Sequence, residues 1–426
     1  MNTTDTLSAS GRPLPRNWLA VIVVIWLGQA ISIVTSYAAG FAATWYITET
    51  TGSALWLSLA AMCAYLPQGL LSPFGGVVAD RFNRKSVMIV ADLSIGALSA
   101  LIGFIILAGH LEMWMILALV VGRSVGQAFH GPAMMAAMPL IVPARHLLRI
   151  NTLDQLLMSI AGIGAPALGI MLYTAFGLHT AMFLDALGAL IAVAGLALAA
   201  IPTTHDLSME DQHVLANLAD GWRALSANRG LLLLIVGITL GMIIFAPMSA
   251  LYPLMTYEHF GGDGWMASIA EATFAGGLLA GSAVLMAWGG GKRLAGLIAF
   301  AMTATGLVTI ACGLLPSDLF WAFAVLCAVM AFVCAWFSGP MMTLVQRNVP
   351  NEKLGRAVGF TTALIGLSSP IGIAFGGVGA EMVGIAPFFV IDGLLCLILG
   401  LTIYLPRSIR ALDAPEPDAH DDGDAA

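Results

Sequence analysis

Long apolar stretches alternate with short polar connections along almost the whole chain. Between Trp18 and Leu405 each stretch is about 20 residues or longer, the length that an α-helix needs to cross about 30 Å of hydrocarbon. The pattern predicts twelve membrane spans, at residues 18–46, 54–78, 87–108, 113–140, 152–174, 179–201, 230–257, 266–287, 294–314, 319–345, 357–380 and 384–405. The first stretch is too long for the core of a signal peptide, so we expect it to remain as a helix.

Basic residues fall on only one side of these predicted spans. Sixteen of the 17 Lys and Arg residues lie in the termini and in alternate connections, and the opposite connections contain none. One helix more or fewer would scatter these charges over both sides. Because positively charged loops stay in the cytoplasm, we expect a multi-pass protein of the bacterial inner membrane with both termini cytoplasmic. The one exception is Arg123, inside the fourth predicted span.

Composition agrees with an all-α membrane protein. Of the 426 residues 59% are hydrophobic and 10% are charged, whereas soluble domains carry roughly 25% charged residues. We therefore expect the lipid bilayer as a partner. The sequence has no basic cluster with interleaved aromatic residues, which argues against nucleic acid. The five cysteines lie inside apolar stretches without metal-ligand spacing, so neither disulfides nor a metal or other cofactor are expected.

The chain contains an internal repeat with an offset of 207 residues, which carries Val142-Pro143 onto Val349-Pro350 and Asp185 onto Asp392. The predicted organisation is a cytoplasmic N-terminus (1–17), an N-terminal six-helix half (18–201), a cytoplasmic linker (202–229), a C-terminal six-helix half (230–405) and an acidic cytoplasmic tail (406–426). Within the linker, leucines and Trp222 at helical spacing predict an amphipathic helix, either on the membrane surface or as a plain connection. Such repeats predict a substrate cavity between the halves.

The connection after the second span contains a motif. It reads Gly76-Val-Val-Ala-Asp80-Arg81-Phe-Asn-Arg84-Lys85, a complete match to G-x-x-x-D-R-x-x-R-K. A glycine permits close helix contact, and basic residues suit a helix C-terminus. The positive-inside rule alone explains the three basic residues, but not Gly76 and Asp80. The chain therefore resembles the major facilitator superfamily, which implies twelve helices in two pseudo-symmetric halves and a gating role for this motif, with Asp80 as a cytoplasmic latch.

Further segments are similar to the macrolide-efflux branch of that superfamily, which consists of drug:proton antiporters. They are Trp26-Leu-Gly28-Gln29-Ala-Ile-Ser32, Thr51-Gly52-Ser53-Ala54, and Arg123 followed by Ala128-Phe129-His130-Gly-Pro132-Ala133. Branches that transport siderophores or lysophospholipids look alike and remain alternatives. The fifth span contains a degenerate form of an antiporter motif, in which Ala165 and Ile170 replace glycines; its small residues also suit ordinary helix packing.

The resemblance implies a secondary-active exporter of amphipathic or lipophilic small molecules, driven by proton antiport through alternating access. A small amphipathic substrate and protons are then the partners, and we expect the protein to function as a monomer. The sequence has no nucleotide-binding motif and no paired catalytic groups of a membrane enzyme, so we predict no enzymatic activity. A channel is also disfavoured, because channels seldom show such a repeat with this loop motif.

Ionisable residues inside predicted spans are costly and often functional. Arg123 is the only cation among them, and its repeat equivalent is Met330. The resemblance implies that Arg123 takes part in proton coupling. We predict Glu271 as its titrating partner and include Asp185 in the coupling set, although a static buried ion pair remains an alternative.

Four intramembrane carboxylates, including Asp185, receive weaker predictions. For Asp185 and Asp392 we expect structural pairing or capping. Asp92 and Asp154 are expected near water, close to span ends. Methionine and aromatic side chains adapt to varied apolar ligands, although each alone is more often explained by ordinary helix packing. With two further polar residues they give the predicted cavity set: Gln29, Tyr37, His130, Met134, Met138, Phe245, Met248, Tyr252 and Trp336.

Overall fold

The structure, a computed structural model, describes residues 18–199, 201 and 214–413. The side chains of Asp80, Ala144, Leu147, Leu148, Asn151, Thr152, Asn351 and residues 214–218 lie outside this description. The helices are α1 Trp18–Thr51, α2 Ala54–Arg81, α3 Arg84–Leu107, α4 Met113–Ile141, α5 Ala144–Phe176, α6 Leu178–Leu198, α7 Val214–Ser226, α8 Arg229–Leu254, α9 Gly264–Trp288, α10 Leu294–Leu314, α11 Phe320–Cys334, α12 Ser338–Asn348, α13 Asn351–Val383, α14 Ile385–Ile403 and α15 Arg407–Arg410. A π-helical turn (Met255–His259) follows α8, and a 3-10 turn (Ala411–Asp413) follows α15.

Eleven helical segments within the described residues are long and apolar enough to cross a membrane. Helix α8 with its π-turn and α11 with α12 each count once among them. Helix α4 is not among the eleven, although it has 29 residues and packs between α2 and α3. It carries Arg123, Gln127 and His130, which lower its mean hydropathy. The protein thus has an all-α, multi-pass membrane fold, and twelve spans remain the prediction.

One predicted span is interrupted. Residues 319–345 were expected to form one helix, but α11 ends at Cys334 and α12 begins at Ser338. Pro340 explains the break, because proline has no amide hydrogen to donate to the carbonyl four residues earlier and its ring would clash there. The Trp336 and Phe337 amides instead make tighter bonds, each to the residue three positions earlier.

The two repeats pack as an N-terminal half (α1–α6) and a C-terminal half (α8–α14). We call the side with the α2–α3 connection the basic face and the other side the opposite face. Near the opposite face, one buried cluster contains residues of both halves, such as Ile47 and Met182 with Leu251 and Phe389. Near the basic face each half has its own separate cluster. Among the described buried residues, the halves are therefore joined at the opposite face and form separate clusters at the basic face.

The linker helix α7 lies against α13 and α8. Arg356 Nη1 donates to Asp220 Oδ2 at 2.8 Å, and Leu225 is fully buried in the basic-face cluster of the C-terminal half. An added Cβ at Gly221 would collide with the Arg356 carbonyl, so glycine allows this close approach. Of the described apolar residues of α7, Leu225 packs on protein, whereas Trp222 contacts Phe360 but remains 44% exposed. The contacts of Leu225 and Asp220 favour a connecting helix over one lying on the membrane surface.

Candidate functional site

A cavity of about 380 Å³ lies between the two halves, within the usual range of small-molecule sites. Residues of α1, α2, α4, α5 and α6 form one wall, and residues of α8 and α9 form the other. Most of the lining is apolar. The polar lining residues are Tyr37, Thr44, Tyr65, Gln68, Arg123, Ser124, Gln127, Ser249, Tyr252 and Glu271.

Four predicted residues meet at this cavity: Tyr37 and Arg123 on one side, and Tyr252 and Glu271 on the other. Sequence reasoning missed Tyr65, Gln68 and Gln127. A signal for Gln127 was present, because it lies one helical turn after Arg123 and so shares its face.

The other predicted cavity residues of the C-terminal half lie elsewhere. Met248 is buried and accepts a hydrogen bond from Thr309 Oγ1 at 3.3 Å. Phe245 lines a second, much smaller space between α8, α10, α11 and α14. Trp336 packs in an aromatic group, and its Nε1 donates to the Gly281 carbonyl at 3.1 Å.

In the N-terminal half, Met134 and Met138 pack against the basic-face cluster. Gln29 and His130 lie inside the half, beside Asp92. This corrects our expectation for Asp92, which is buried rather than near water. It lies two helical turns inside α3, where α1 and α4 cover it.

Arg123 belongs to a buried network that joins four helices. Its Nη1 forms an ion pair with Asp185 Oδ2, and its Nη2 donates to the Ser36 carbonyl at 3.2 Å. The Asp185 carboxylate also accepts hydrogen bonds from Ser36 Oγ at 2.6 Å and Ser99 Oγ at 2.5 Å. Asp185 is fully buried, whereas Arg123 reaches the cavity. The guanidinium thus lies between the cavity and the carboxylate.

This network places the three predicted coupling residues in different positions. Arg123 pairs with Asp185 on its own side of the cavity, and Glu271 lines the wall contributed by the other half. No described residue forms a hydrogen bond or ion pair with Glu271. The cavity therefore has a compensated charge in one wall and an uncompensated carboxylate in the other.

Ser124, next to Arg123, inserts its hydroxyl into the backbone of α2. Ser124 Oγ donates to the Ala64 carbonyl at 2.6 Å and accepts from the Gln68 amide at 3.0 Å. These two backbone groups are four residues apart and would bond directly in a regular helix. Pro67 lies within this turn. The hydroxyl thus bonds both of these groups of α2 beside the cavity and ties α4 to α2.

The basic residues of the loop motif cap helix ends. Arg84 Nε donates to the Ala79 carbonyl at 3.2 Å, and its Nη1 donates to the Ala136 carbonyl at 3.1 Å. Lys85 Nζ donates to two carbonyls at the end of α6, at 2.8 and 2.9 Å. Helix C-termini have such unpaired carbonyls and attract cations. The motif therefore fastens α3 to the ends of α2, α4 and α6.

The remaining motif residues are Gly76, Asp80 and Arg81, and the structure describes the surroundings of Gly76 and Arg81. An added Cβ at Gly76 would meet nothing within 4 Å, whereas one at Gly75 would collide with the Ala128 carbonyl. The close helix contact predicted for Gly76 therefore occurs one residue earlier, because Gly75 faces α4. Arg81 is exposed at the end of α2. The side chain of Asp80 lies outside the described part of the structure.

Comparisons with known proteins agree with this architecture. The sequence model of the Major Facilitator Superfamily matches residues 25–318 and 264–422. The chain is 34% identical to macrolide efflux protein A of Streptococcus pyogenes over 398 residues, 93% of this chain and 98% of that protein. It is 28% identical to the multidrug efflux pump Tap of Mycobacterium tuberculosis over 412 residues, 92% and 93% of the two chains.

A solved structure shows the same fold. It is a bacterial homologue of the human lysosomal transporter Spinster, with a TM-score of 0.69 and 14% sequence identity, covering 95% of this chain and 100% of that one. These similarities point to a transporter rather than an enzyme. The chain belongs to the major facilitator superfamily, in the branch that includes macrolide efflux protein A.

Proposed function

We propose that this protein exports amphipathic or lipophilic small molecules, of which macrolides are the first class to test, by proton antiport through alternating access. The observation that carries the proposal is the arrangement of Arg123 and Glu271 on opposite walls of one cavity between the halves. The similarity to proteins named for macrolide and multidrug efflux supports the choice of cargo.

The lining suits cargo that is mostly apolar with a few polar groups. Apolar side chains make up most of the surface, and Tyr37, Tyr65 and Tyr252 add aromatic faces with hydroxyl groups. Such side chains give large contact area together with adaptable hydrogen bonding. Glu271 can bind either a proton or a cationic group of the cargo.

Alternating access is supported by the unequal contacts between the halves. They share a buried cluster at the opposite face and have separate clusters at the basic face. If the basic face is cytoplasmic, as the positive-inside rule predicts, this arrangement is the inward-open conformation. Export then requires the shared cluster to separate while the halves close at the basic face.

The coupling hypothesis assigns complementary roles to the two walls. With the Arg123–Asp185 pair intact, the N-terminal half is neutral at this site, and Glu271 takes up the proton. Cargo binding would displace that proton, or proton binding would displace the cargo. Inward proton flow then drives cargo outward.

The test is transport by purified protein in proteoliposomes, with and without an imposed pH gradient. The panel should include a macrolide, a lysophospholipid and a siderophore, because these distinguish the related branches. We expect gradient-driven macrolide transport by the wild type, its loss in Arg123→Ala and Glu271→Gln, and continued downhill exchange by Glu271→Gln.

A matched control is Glu112→Gln, which neutralises an exposed carboxylate outside the cavity; this residue makes no side-chain capping bond to α4. Full gradient-driven transport by both cavity variants would contradict the coupling hypothesis. Loss of folded protein in Arg123→Ala but not in Glu271→Gln would favour a static Arg123–Asp185 ion pair.

We further propose an inner-membrane location with cytoplasmic termini and a functional monomer. Labels attached at Glu49, Asp263 and Ser317 should react with an impermeant reagent from outside, and a label at Asn83 only from inside. One reversed position would contradict the orientation.

A further inference from the structure

A second buried polar cluster lies inside the N-terminal half, formed by Gln29, Asp92 and His130. Gln29 Nε2 donates to Asp92 Oδ2 at 3.1 Å. His130 Nε2 lies 3.4 Å from Asp92 Oδ1, close enough for an ion pair but not aligned as a hydrogen bond. The exposed fractions are 6% for Gln29, 4% for Asp92 and 8% for His130. All three residues are therefore more than nine-tenths buried, and none lines the cavity.

This cluster repeats the geometry of the Arg123 network on the same helices. Each member lies seven residues from a member of that network: Gln29 from Ser36 on α1, Asp92 from Ser99 on α3, and His130 from Arg123 on α4. Seven residues are about two helical turns, or roughly 10.5 Å. On α1 and α3 the cluster members come first, and on the antiparallel α4 His130 comes last, so the cluster is the layer nearer the basic face.

The two layers differ in how their carboxylates are compensated. Asp185 has a permanent cation, whereas Asp92 has only His130 and the neutral amide of Gln29 among the described residues. An isolated buried carboxylate is costly unless a partner or a proton compensates it. Histidine is the side chain that gains and loses its charge near neutral pH. A proton on His130 therefore neutralises the Asp92–His130 pair. Loss of that proton leaves the pair with a single negative charge.

The described residues of α6 and the end of α3 next to this cluster provide no other positive charge that could compensate Asp92. On α6 the residue seven positions after Asp185 is Ala192, which is buried. Arg84 reaches α4, but it donates to the Ala136 carbonyl, six residues beyond His130. His130 Nε2 is fully buried and accepts or donates no hydrogen bond within the described residues.

The C-terminal half does not contain this arrangement. The repeat offset carries Asp92, Ser99, Arg123 and His130 onto Ala299, Gly306, Met330 and Phe337. Only the position of Asp185 keeps a carboxylate there, at Asp392. The double layer is thus not required by the six-helix scaffold.

We propose that Asp92 and His130 form a proton-binding site that holds one proton between the Arg123–Asp185 network and the basic face. The proton binds at His130 Nε2, which then faces Asp92 as an imidazolium. It leaves to water at the basic face, and the products are a neutral imidazole and a carboxylate held by Gln29. Because Arg123 and His130 lie on one helix, a movement of α4 that alters one layer can alter the other.

Protonation itself is tested on purified wild-type protein in detergent, without any cargo. Infrared difference spectra across about pH 4 to 9, a range that includes the ordinary titration of histidine, are recorded with isotope-labelled histidine. We expect a titrating band that is absent from His130→Gln and has an altered pH profile in Asp92→Asn. The matched control is Asp392→Asn, which neutralises a buried carboxylate of the C-terminal half and should leave the band unchanged.

The use of this proton rests on the proposed antiport function, so it needs a second measurement. In proteoliposomes with erythromycin as the probe, His130→Gln and Asp92→Asn should lose at least tenfold in gradient-driven transport but keep exchange without a gradient. Asp92→Glu should recover part of the loss. If Asp92→Asn does not fold, Gln29→Met replaces it, because it removes the amide that holds Asp92.

The outcomes separate the two hypotheses. A His130 band that titrates in a wild type without gradient-driven transport supports the proton site and contradicts the antiport proposal. Absence of a titrating His130 band overturns the proton site. The site is also overturned if the wild type shows gradient-driven transport and both His130→Gln and Asp92→Asn keep it in full.

Discussion

Glu381, near the end of α13, caps the first turn of α2 across the interface between the halves. Its Oε2 accepts hydrogen bonds from Ser53 Oγ at 3.0 Å and from the Leu55 amide at 3.3 Å. Ser53 makes no side-chain capping bond of its own, so a carboxylate of the other half does what an N-cap residue normally does. The contact must break when the opposite face opens.

We predict that Glu381→Ala shifts the conformational equilibrium toward opening at this face. Loss of an N-cap interaction costs about 1 kcal/mol. Buried hydrogen bonds to charged groups contribute more, but Glu381 is exposed, so water screens its charge. Because 1.4 kcal/mol is tenfold in an equilibrium constant, the ratio of open to closed molecules should rise about fivefold.

The measurement is the distance distribution between spin labels at Thr50 and Met382, two exposed positions on different halves. The five native cysteines are replaced first. The matched control is Asp318→Asn, an exposed carboxylate of the C-terminal half near the same face to which no described residue donates a hydrogen bond. An unchanged distribution in Glu381→Ala, or an equal shift in the control, would refute the reasoning.

Three further variants test other contacts. Ser124→Ala should slow transport without loss of expression, because it removes the hydroxyl that ties α4 to two backbone groups of α2 beside the cavity; wild-type initial rates would contradict this. Asp413→Ala should lower the unfolding free energy by about 1 kcal/mol, seen as a lower melting temperature, because its carboxylate accepts from the first amides of α10 at 2.9 Å; Asp318→Ala is the control. Asp80→Asn should retain cargo binding but lose turnover, because a latch biases conformations; weakened binding with normal turnover would count against it.

The fold was largely predictable from the sequence, because apolar length and loop charge both report on the membrane. The break between α11 and α12 was not predicted, although Gly339-Pro340 signals it, since hydropathy averaged over a span conceals a single proline. In contrast, α4 was predicted as a span, but its hydropathy alone does not identify it as one. Its polar residues, among them Arg123 and His130, lower its mean hydropathy, whereas the loop charges predict a span there.

The site was less predictable. Charged residues were found because their burial is costly, and Arg123 and Glu271 do line one cavity. The methionine predictions placed Met134, Met138 and Met248 in the cavity, but these residues lie elsewhere. A helix that is apolar all round gives no periodic signal for the face that lines a cavity. Hydrogen-bond partners on other helices, such as Ser99 for Asp185, follow only from the tertiary structure.

The internal repeat suggests a test of whether the Arg123–Asp185 pair contributes to stability or to transport. The C-terminal half packs the same six-helix plan with Met330 in place of the arginine, and Met330 is buried in the shared cluster. A buried ion pair is weak evidence for stability, because replacing both partners with apolar groups of similar size is often neutral.

We therefore predict that the double variant Arg123→Met, Asp185→Leu folds and binds cargo but shows no gradient-driven transport. The single variant Asp185→Leu should be much less stable, because it leaves the guanidinium without its partner, and breaking a buried pair costs about 3–5 kcal/mol. Thermal unfolding and proteoliposome transport of the three proteins measure both effects. If the double variant is as unstable as the single one, the pair is needed for folding. If it keeps gradient-driven transport, the pair has no part in coupling.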